Sequence, residues 1–503
     1  MNHKTIHLLD LPDEILLIIM KKLDTMDVLY SLLGVNKRLN QMARSINETM
    51  SLDFSTKLSN DEFSSFDRVK FDRFLYEILP QIHYNVIGLT LDFFSMKHVL
   101  LTCEYPNLRM IVTDNYPLYG LLRDLTEESS IAHTCSNILV ICTKLSYLNI
   151  NQPVKSNHAK LSLWDRSSNV CYSLHLRTLI IDVKHFDDCL HLLDGRLEQL
   201  SSFTVNIHSI ERFSMIDNNQ KIVSNLKEFS LTCYSTTKAY RSRILPLLRR
   251  MPNLNSLTLH LNIKQSKVID GIHLNEKILR HMLHLNTFIF NICAIVLTSE
   301  INHFLSTNDI ENTFINWKYS PVICCVDHLS DRYTYSHIYS APFKMNCFMY
   351  LTNSFHDHHL EYVIDLVLYD TNPFEHEFFE WISQGFPLLK HLTVNNLTPQ
   401  KQKYQIESVN DKQIFSKISY LHLVRLKLTD AHINYADQFL RDQNAYVPCL
   451  HALTIQYEQL VTVTNNFTND ATRFNCRQLT KIKFDKLPIY PEHFYLYFFS
   501  LSK

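Results

Sequence analysis

The chain has 503 residues, 46% of them hydrophobic and 20% charged, enough to bury a large core. Its 49 basic and 50 acidic side chains nearly cancel, which argues against a nucleic-acid partner. No apolar run approaches the ~18 to 20 residues of a membrane span, Asp10, Asp13 and Glu14 stand where a secretory signal would be apolar, and twelve cysteines include no Cys-x-x-Cys pair, so the reading is a soluble intracellular protein, cytoplasmic or nuclear, with reduced, mostly buried thiols.

The first predicted helix opens with Leu11-Pro12-Asp13-Glu14-Ile15-Leu16. Asp10 is its expected N-cap, Pro12 fits the first turn, and Asp13 and Glu14 put negative charge at the positive end of the helix dipole. Ile15, Leu16, Leu17, Ile18, Ile19, Met20 and Leu23 then run around more than one face, with Lys21 and Lys22 in the last turn. A second helix follows Asp24-Thr25-Met26-Asp27 and carries Val28, Leu29, Leu32 and Leu33; a third follows Gly34 and carries Val35, Leu39 and Met42. Domains below ~40 residues seldom bury enough surface to stand alone, so this apolar surplus wants a partner.

Residues 5 to 50 resemble the F-box, the three-helix adaptor module of Skp–cullin–F-box ubiquitin ligases. The residues that carry the likeness are the Leu-Pro-Asp-Glu-Ile-Leu opening, the turn built on Lys22, Leu23, Asp24, Asp27 and Val28, and the segment Val35-Asn36-Lys37-Arg38-Leu39. Members often carry Arg and Trp after a Cys or aromatic near the third helix; here Asn36, Lys37 and Arg38 precede Leu39 and no Trp appears. The resemblance implies that Leu11, Pro12, Ile15, Ile19, Leu23, Val28, Leu32, Val35 and Leu39 supply the adaptor contact and the module's own small core, without saying which residue does which. An ordinary helical cap on a larger fold is the alternative.

Residues 51–85 read as a helical linker. From there to 487 an apolar pattern at positions 1, 4 and 6 returns: Val86-Leu89-Leu91, Leu145-Leu148-Ile150, Leu176-Leu179-Ile181, Leu200-Phe203-Val205, Leu226-Phe229-Leu231, Leu254-Leu257-Leu259 and Leu285-Phe288-Phe290. After a gap come Val363-Leu366-Leu368, Leu389-Leu392-Val394, Ile418-Leu421-Leu423, Leu450-Leu453-Ile455 and Leu479-Ile482-Phe484. From 200 to 285 and from 363 to 479 the steps are 26 to 32 residues, at or slightly above leucine-rich-repeat spacing. Helical periods fill the intervals 239–251, 275–284, 376–384 and 430–443, and several end in a proline shortly before the next strand, as in Met251-Pro252-Asn253-Leu254 and Phe386-Pro387-Leu388-Leu389.

This part resembles the leucine-rich repeats that follow the F-box in one large class of substrate receptors. The fold class is therefore α/β, with a parallel sheet on the inner face of an irregular solenoid and helices outside. The repeat expects Asn or Cys three residues after its third apolar position; only Asn262 and Cys293 clearly comply, so the array reads as degenerate. A non-repetitive α/β fold with recurrent strands is the alternative.

Near 291–362 the rhythm breaks into an aromatic and polar mixture holding Trp317, Tyr333, Tyr335 and Tyr339. Two readings are open: an insertion whose aromatics bind a target, or diverged repeats whose aromatics pack inward. Residues 488–503, with Phe494, Tyr495, Leu496, Tyr497, Phe498 and Phe499, are too apolar for a free tail and read as a C-terminal cap.

Signals for chemistry are weak. Six isolated glycines provide no clustered loop to cradle phosphate. His356-Asp357-His358-His359 reads as a solvated turn, and Cys324-Cys325 as buried thiols. No catalytic residue, metal or cofactor is expected. The resemblance implies a non-enzymatic receptor that docks a Skp-type adaptor, and through it cullin, while its solenoid binds a target protein; an F-box scaffold that directs no ubiquitin transfer is the alternative.

Overall fold

A computed structural model of the chain describes residues 10–45, 49–55, 68–113, 138–139, 142–151, 173–211, 221–301, 305–329, 332–355, 360–401, 416–486 and 490–502. It is a mixed α/β structure, helical at the N-terminus and dominated by a large, mostly parallel sheet. The chain divides into two compact units, Met1–His260 with Lys277–Phe288, and Leu261–Glu276 with Ile289–Lys503.

The first unit opens with three short helices, α1 (Asp13–Met20), α2 (Thr25–Leu32) and α3 (Lys37–Ser45). Strands β1 (Met50–Asp53), β2 (Val86–Leu91), β3 (Met110–Thr113), β4 (Tyr147–Ile150), β5 (Thr178–His185), β6 (Ser202–Ser209) and β7 (Glu228–Thr237) follow, hydrogen-bonded in chain order with every neighbouring pair parallel. Residues 51–53 thus belong to the sheet, and the described helical part of the 51–85 stretch is residues 68–85.

Register explains the recurring pattern. Leu89, Ile111, Leu148, Leu179, Phe203 and Phe229 stand opposite one another in a single row, none more than 2% exposed. Strand side chains alternate, so the fourth and sixth positions of the pattern share this inward face. In most units the first position lies in the turn before the strand, where its amide donates three residues back: Leu145 to the Cys142 carbonyl and Leu200 to that of Leu197, both at 3.1 Å. The next two amides then donate to one carbonyl of the preceding turn, as Arg177 and Thr178 do to Ser146, and Ser201 and Ser202 to Arg177. Asparagines beside these turns reach back in the same way, with the Asn107, Asn225 and Asn253 amides donating to the carbonyls of Tyr84, Glu198 and Ser224 at 2.8 to 3.0 Å.

The division between units falls within β8 (Ser256–Lys264) and β9 (Thr287–Leu297). In the second unit, residues 291–297 of β9 pair antiparallel with β11 (Tyr333–Ser340), which pairs antiparallel with β10 (Val322–His328). This ribbon is the break in rhythm: neither strand follows a crossover, so no 1-4-6 pattern arises. Asn262 and Cys293, expected in turns, lie buried inside β8 and β9, because these strands run on past the third apolar position.

A six-stranded parallel sheet follows, ordered β12 (Cys347–Leu351), β13 (Asp365–Tyr369), β14 (His391–Asn395), β16 (Arg425–Lys427), β18 (Ala452–Ile455) and β19 (Lys481–Phe484), with β15 (Ile418–Ser419) and β17 (Ala445–Tyr446) forming a separate pair. Its inward row is Leu366, Leu392, Leu426, Leu453 and Ile482. The expected unit Ile418-Leu421-Leu423 is thereby displaced to Leu423-Leu426-Leu428, all buried, while Leu421 is 55% exposed. Both placements contain Leu423, and only pairing with Leu392 and Leu453 separates them. The helix expected over 275–284 begins earlier, at Gly271, because Asp270 Oδ1 accepts the His273 amide at 2.7 Å and the Gly271 amide donates to Thr313 Oγ1 at 2.8 Å. A Cβ at Gly271 would meet the Thr313 carbonyl oxygen at 2.4 Å, so this close approach needs glycine.

The chain ends in a short helix, Phe494–Tyr497, and a 3-10 turn, Phe499–Ser502. Phe494, Tyr497 and Phe498 are buried around Phe467, with ring centroids 5.1, 6.3 and 5.9 Å from it.

Two outcomes follow from this packing. Leu453→Ala should cost about 2–5 kcal/mol in urea unfolding while Leu421→Ala changes stability by less than about 0.5 kcal/mol, and equal losses would contradict the register. Removing residues 490–503 should uncover the Phe467 cluster and speed proteolysis within 416–486; an unchanged digestion pattern would show that the tail covers nothing.

Candidate docking surface

The N-terminal helices are held by caps the sequence supplies locally. The α1 N-cap position is Pro12, which offers no side-chain acceptor, rather than the expected Asp10. Arg38 compensates: its guanidinium donates to the Leu11 carbonyl at 2.6 Å and, through Nε, to Asp13 Oδ1 at 2.7 Å, tying the start of α1 to α3. Asp24 caps α2 by accepting the Met26 amide at 2.9 Å, and Asn36 Oδ1 accepts the Leu39 amide at 2.8 Å at the start of α3. Gly34, at φ +91°, takes the left-handed conformation between α2 and α3, where its amide donates to Asn40 Oδ1 at 2.7 Å. The Asn36-Lys37-Arg38 run is thus a cap followed by an interhelical clamp.

These helices bury a small core of Leu16, Met20, Met26, Val28, Leu29, Leu33, Leu39, Met42 and Ala43. Leu16 and Met20 are the only residues of α1 that reach it fully buried. The opposite side of α1 faces solvent, with Ile15, Ile18 and Ile19 at 43%, 55% and 38% exposure and Leu23 just beyond. Spacings of three and four residues place Ile15, Ile18 and Ile19 on one stripe of α1, with half-buried Leu11 just before the helix and exposed Leu23 just after it. Scattered exposed apolar residues are ordinary, but a continuous stripe on one helix marks a contact surface.

The nine residues named from the sequence therefore separate. Pro12, Ile15, Ile19, Leu23 and Val35 are exposed, Leu11 and Leu32 are half-buried, and Val28 and Leu39 belong to the module's own core. Ile18 was missed, although its i, i+3 relation to Ile15 signals the same stripe.

The module is fastened within its own unit through α2. The Arg73 guanidinium lies 4.6 Å over the Tyr30 ring and donates to the Leu33 carbonyl at 3.0 Å, with Lys70 also over Tyr30 at 5.8 Å. Neither contact touches the α1 stripe.

The four aromatic residues considered for target binding also separate. Tyr339 is buried among Phe343, Phe348 and Phe355, and Tyr335 is buried against Tyr350 and Tyr369. Burial pushes both phenols well above their ordinary range. Their rings are spent on packing, as in the inward reading of this segment. Trp317 is half-buried against Phe290, Phe314 and Tyr319, and Tyr333 is half-buried beneath Lys264, whose Nζ is 4.0 Å from the ring centroid and 2.7 Å from the hydroxyl. Cys324 and Cys325 are buried thiols, and burial pushes Cys324 up to about 12. No group of three metal-ligating side chains occurs among the described residues, and the run His356 to His359 lies outside them. Among the described residues no helix is long and apolar enough to cross a membrane.

No curated protein matches the chain. The sequence profile of the F-box domain matches residues 8–50, the span that contains α1, α2, α3 and the exposed stripe.

Proposed function

We propose that the chain is a substrate-recognition subunit of a Skp–cullin–F-box type ubiquitin ligase, acting in the cytoplasm or nucleus. The observation that carries this reading is the uncovered apolar stripe of α1 on a segment matched by the F-box profile. Leu11, Pro12, Ile15, Ile18, Ile19, Leu23 and Val35 would meet the Skp-type adaptor, and Val28 and Leu39 would act indirectly by holding the helices together. Residues 1–50 are the adaptor module, and we read the recurring strand and turn units between 86 and 487 as a degenerate leucine-rich-repeat array that binds the target, closed by a cap at 488–503.

The mechanism is positioning without chemistry in this chain. Holding a target beside a cullin-bound conjugating enzyme raises the effective concentration of lysine near the activated ubiquitin, and that supplies rate. No clustered glycine loop competes with this reading.

Co-purification tests it. Ile15→Asp and Ile19→Asp should abolish recovery of the adaptor and cullin with melting unchanged, since their side chains face solvent in the free chain but a carboxylate buried unpaired at an interface costs several kcal/mol. Leu16→Asp, inside the core, should lower the melting temperature of the helical module as well. Adaptor retained by the surface variants would contradict the docking face, and adaptor recovered without cullin from the unaltered chain would favour a scaffold over a ligase receptor.

A further inference from the structure

The apolar stripe of α1 ends in a cation. The backbone keeps winding beyond Met20: Lys21 has helical dihedrals, φ −64° and ψ −17°, and the Lys22 and Leu23 amides donate to the Ile19 and Met20 carbonyls, both at 3.1 Å. Bonds of that span make a 3-10 turn, in which a side chain stands over the one three residues before it. Lys22 therefore stands over Ile19 and, four and seven residues after Ile18 and Ile15, continues their stripe. Lys21 is turned about 100° away. It lies on the side of Glu14 and half-buried Leu17, whose carbonyl accepts its amide at 3.0 Å.

The two ends of the stripe differ in charge. Just before the helix stand Leu11 and Pro12, and of the two carboxylates in the first turn Asp13 is held by Arg38 while Glu14 lies on the Lys21 side. At the other end Lys22 is exposed, and among the described residues no carboxylate pairs with it. Asp24, two residues on, has Oδ1 committed to the Met26 and Asp27 amides at 2.9 and 3.3 Å. Exposed Leu23 lies beyond Lys22, so a surface that covers the apolar residues from Ile15 to Leu23 passes over the ammonium on the way. An ammonium shut away from water without a counter-charge is strongly unfavourable, whereas one met by a carboxylate gains a charge-assisted hydrogen bond.

We infer that the adaptor groove receiving α1 carries a carboxylate opposite Lys22, and that this pair sets the direction in which the helix docks. An apolar stripe alone fits an apolar groove in either direction. A charge at one end discriminates between them, because the reversed pose leaves both the ammonium and the carboxylate without a partner. This rests on α1 being the adaptor-docking face, and it adds the charge that the partner must carry there.

Isothermal titration of a recombinant Skp-type adaptor into the full chain, at about 50 and about 300 mM salt, tests this. Lys22→Gln should weaken binding roughly tenfold at the lower salt and flatten its salt dependence, and Lys22→Glu should weaken it roughly a hundredfold, each with melting unchanged. Lys21→Glu, the same change of charge one residue away, should stay within about threefold. Lysine substitutions of the adaptor's acidic residues, made one at a time, should include one that binds the Lys22→Glu chain more tightly than the unaltered adaptor does. Equal losses from Lys21→Glu and Lys22→Glu, Lys22→Gln binding as tightly as the unaltered chain, or no rescuing adaptor variant would overturn the pairing. Those outcomes leave the docking face standing if Ile15→Asp still abolishes binding. An unaltered chain that binds no adaptor contradicts the docking face itself, and the pairing falls with it.

Discussion

Three short helices can cover one side of α1 and not both, and the functional reading depends on that constraint. Leu16 and Met20 take the covered side, while Ile15, Ile18, Ile19 and Leu23 are left in water. Fully burying one such side chain contributes about 1.5–3 kcal/mol, so the stripe is a standing cost to the free chain that a matching partner surface removes. Polar groups hold the module in shape meanwhile. Arg38 pins the start of α1, Asp24 and Asn36 cap the other two helices, and Arg73 over Tyr30 anchors the group from behind.

The sheets obey a simpler rule. Most parallel strands repeat one entry turn, one shared carbonyl and one inward row, so backbone amides are satisfied by the preceding strand and apolar side chains by their neighbours in register. Such repetition does not need one residue type in every turn. Asn262 and Cys293 lie in strands, yet the Asn107, Asn225 and Asn253 side chains carry out turn-to-turn bonding from a different position.

Much of this was legible in the sequence, and the failures share a cause. The apolar spacing located the strands of Leu89, Leu148, Leu179, Phe203 and Phe229, and those of Leu366, Leu392, Leu453 and Ile482, because a buried parallel strand demands branched or aromatic side chains at fixed offsets. It misplaced one strand because Leu423 satisfies two registers, and only neighbours distant in sequence decide between Leu421 and Leu426. The segment with Tyr335 and Tyr339 shows the same limit: composition cannot separate an aromatic that packs inward from one that waits for a partner. The exposed stripe was half legible, since apolar residues around more than one face announce a surplus without saying which face is surplus.

Hydrogen exchange of the full chain, alone and with a Skp-type adaptor, tests the central claim most directly. A module of this size exchanges readily by local opening, so covering its apolar stripe should slow amides from 13 to 23 markedly while those of β13 to β19 exchange as before. Adaptor binding that leaves residues 13 to 23 unprotected, or protects only the sheets, would contradict α1 as the docking surface.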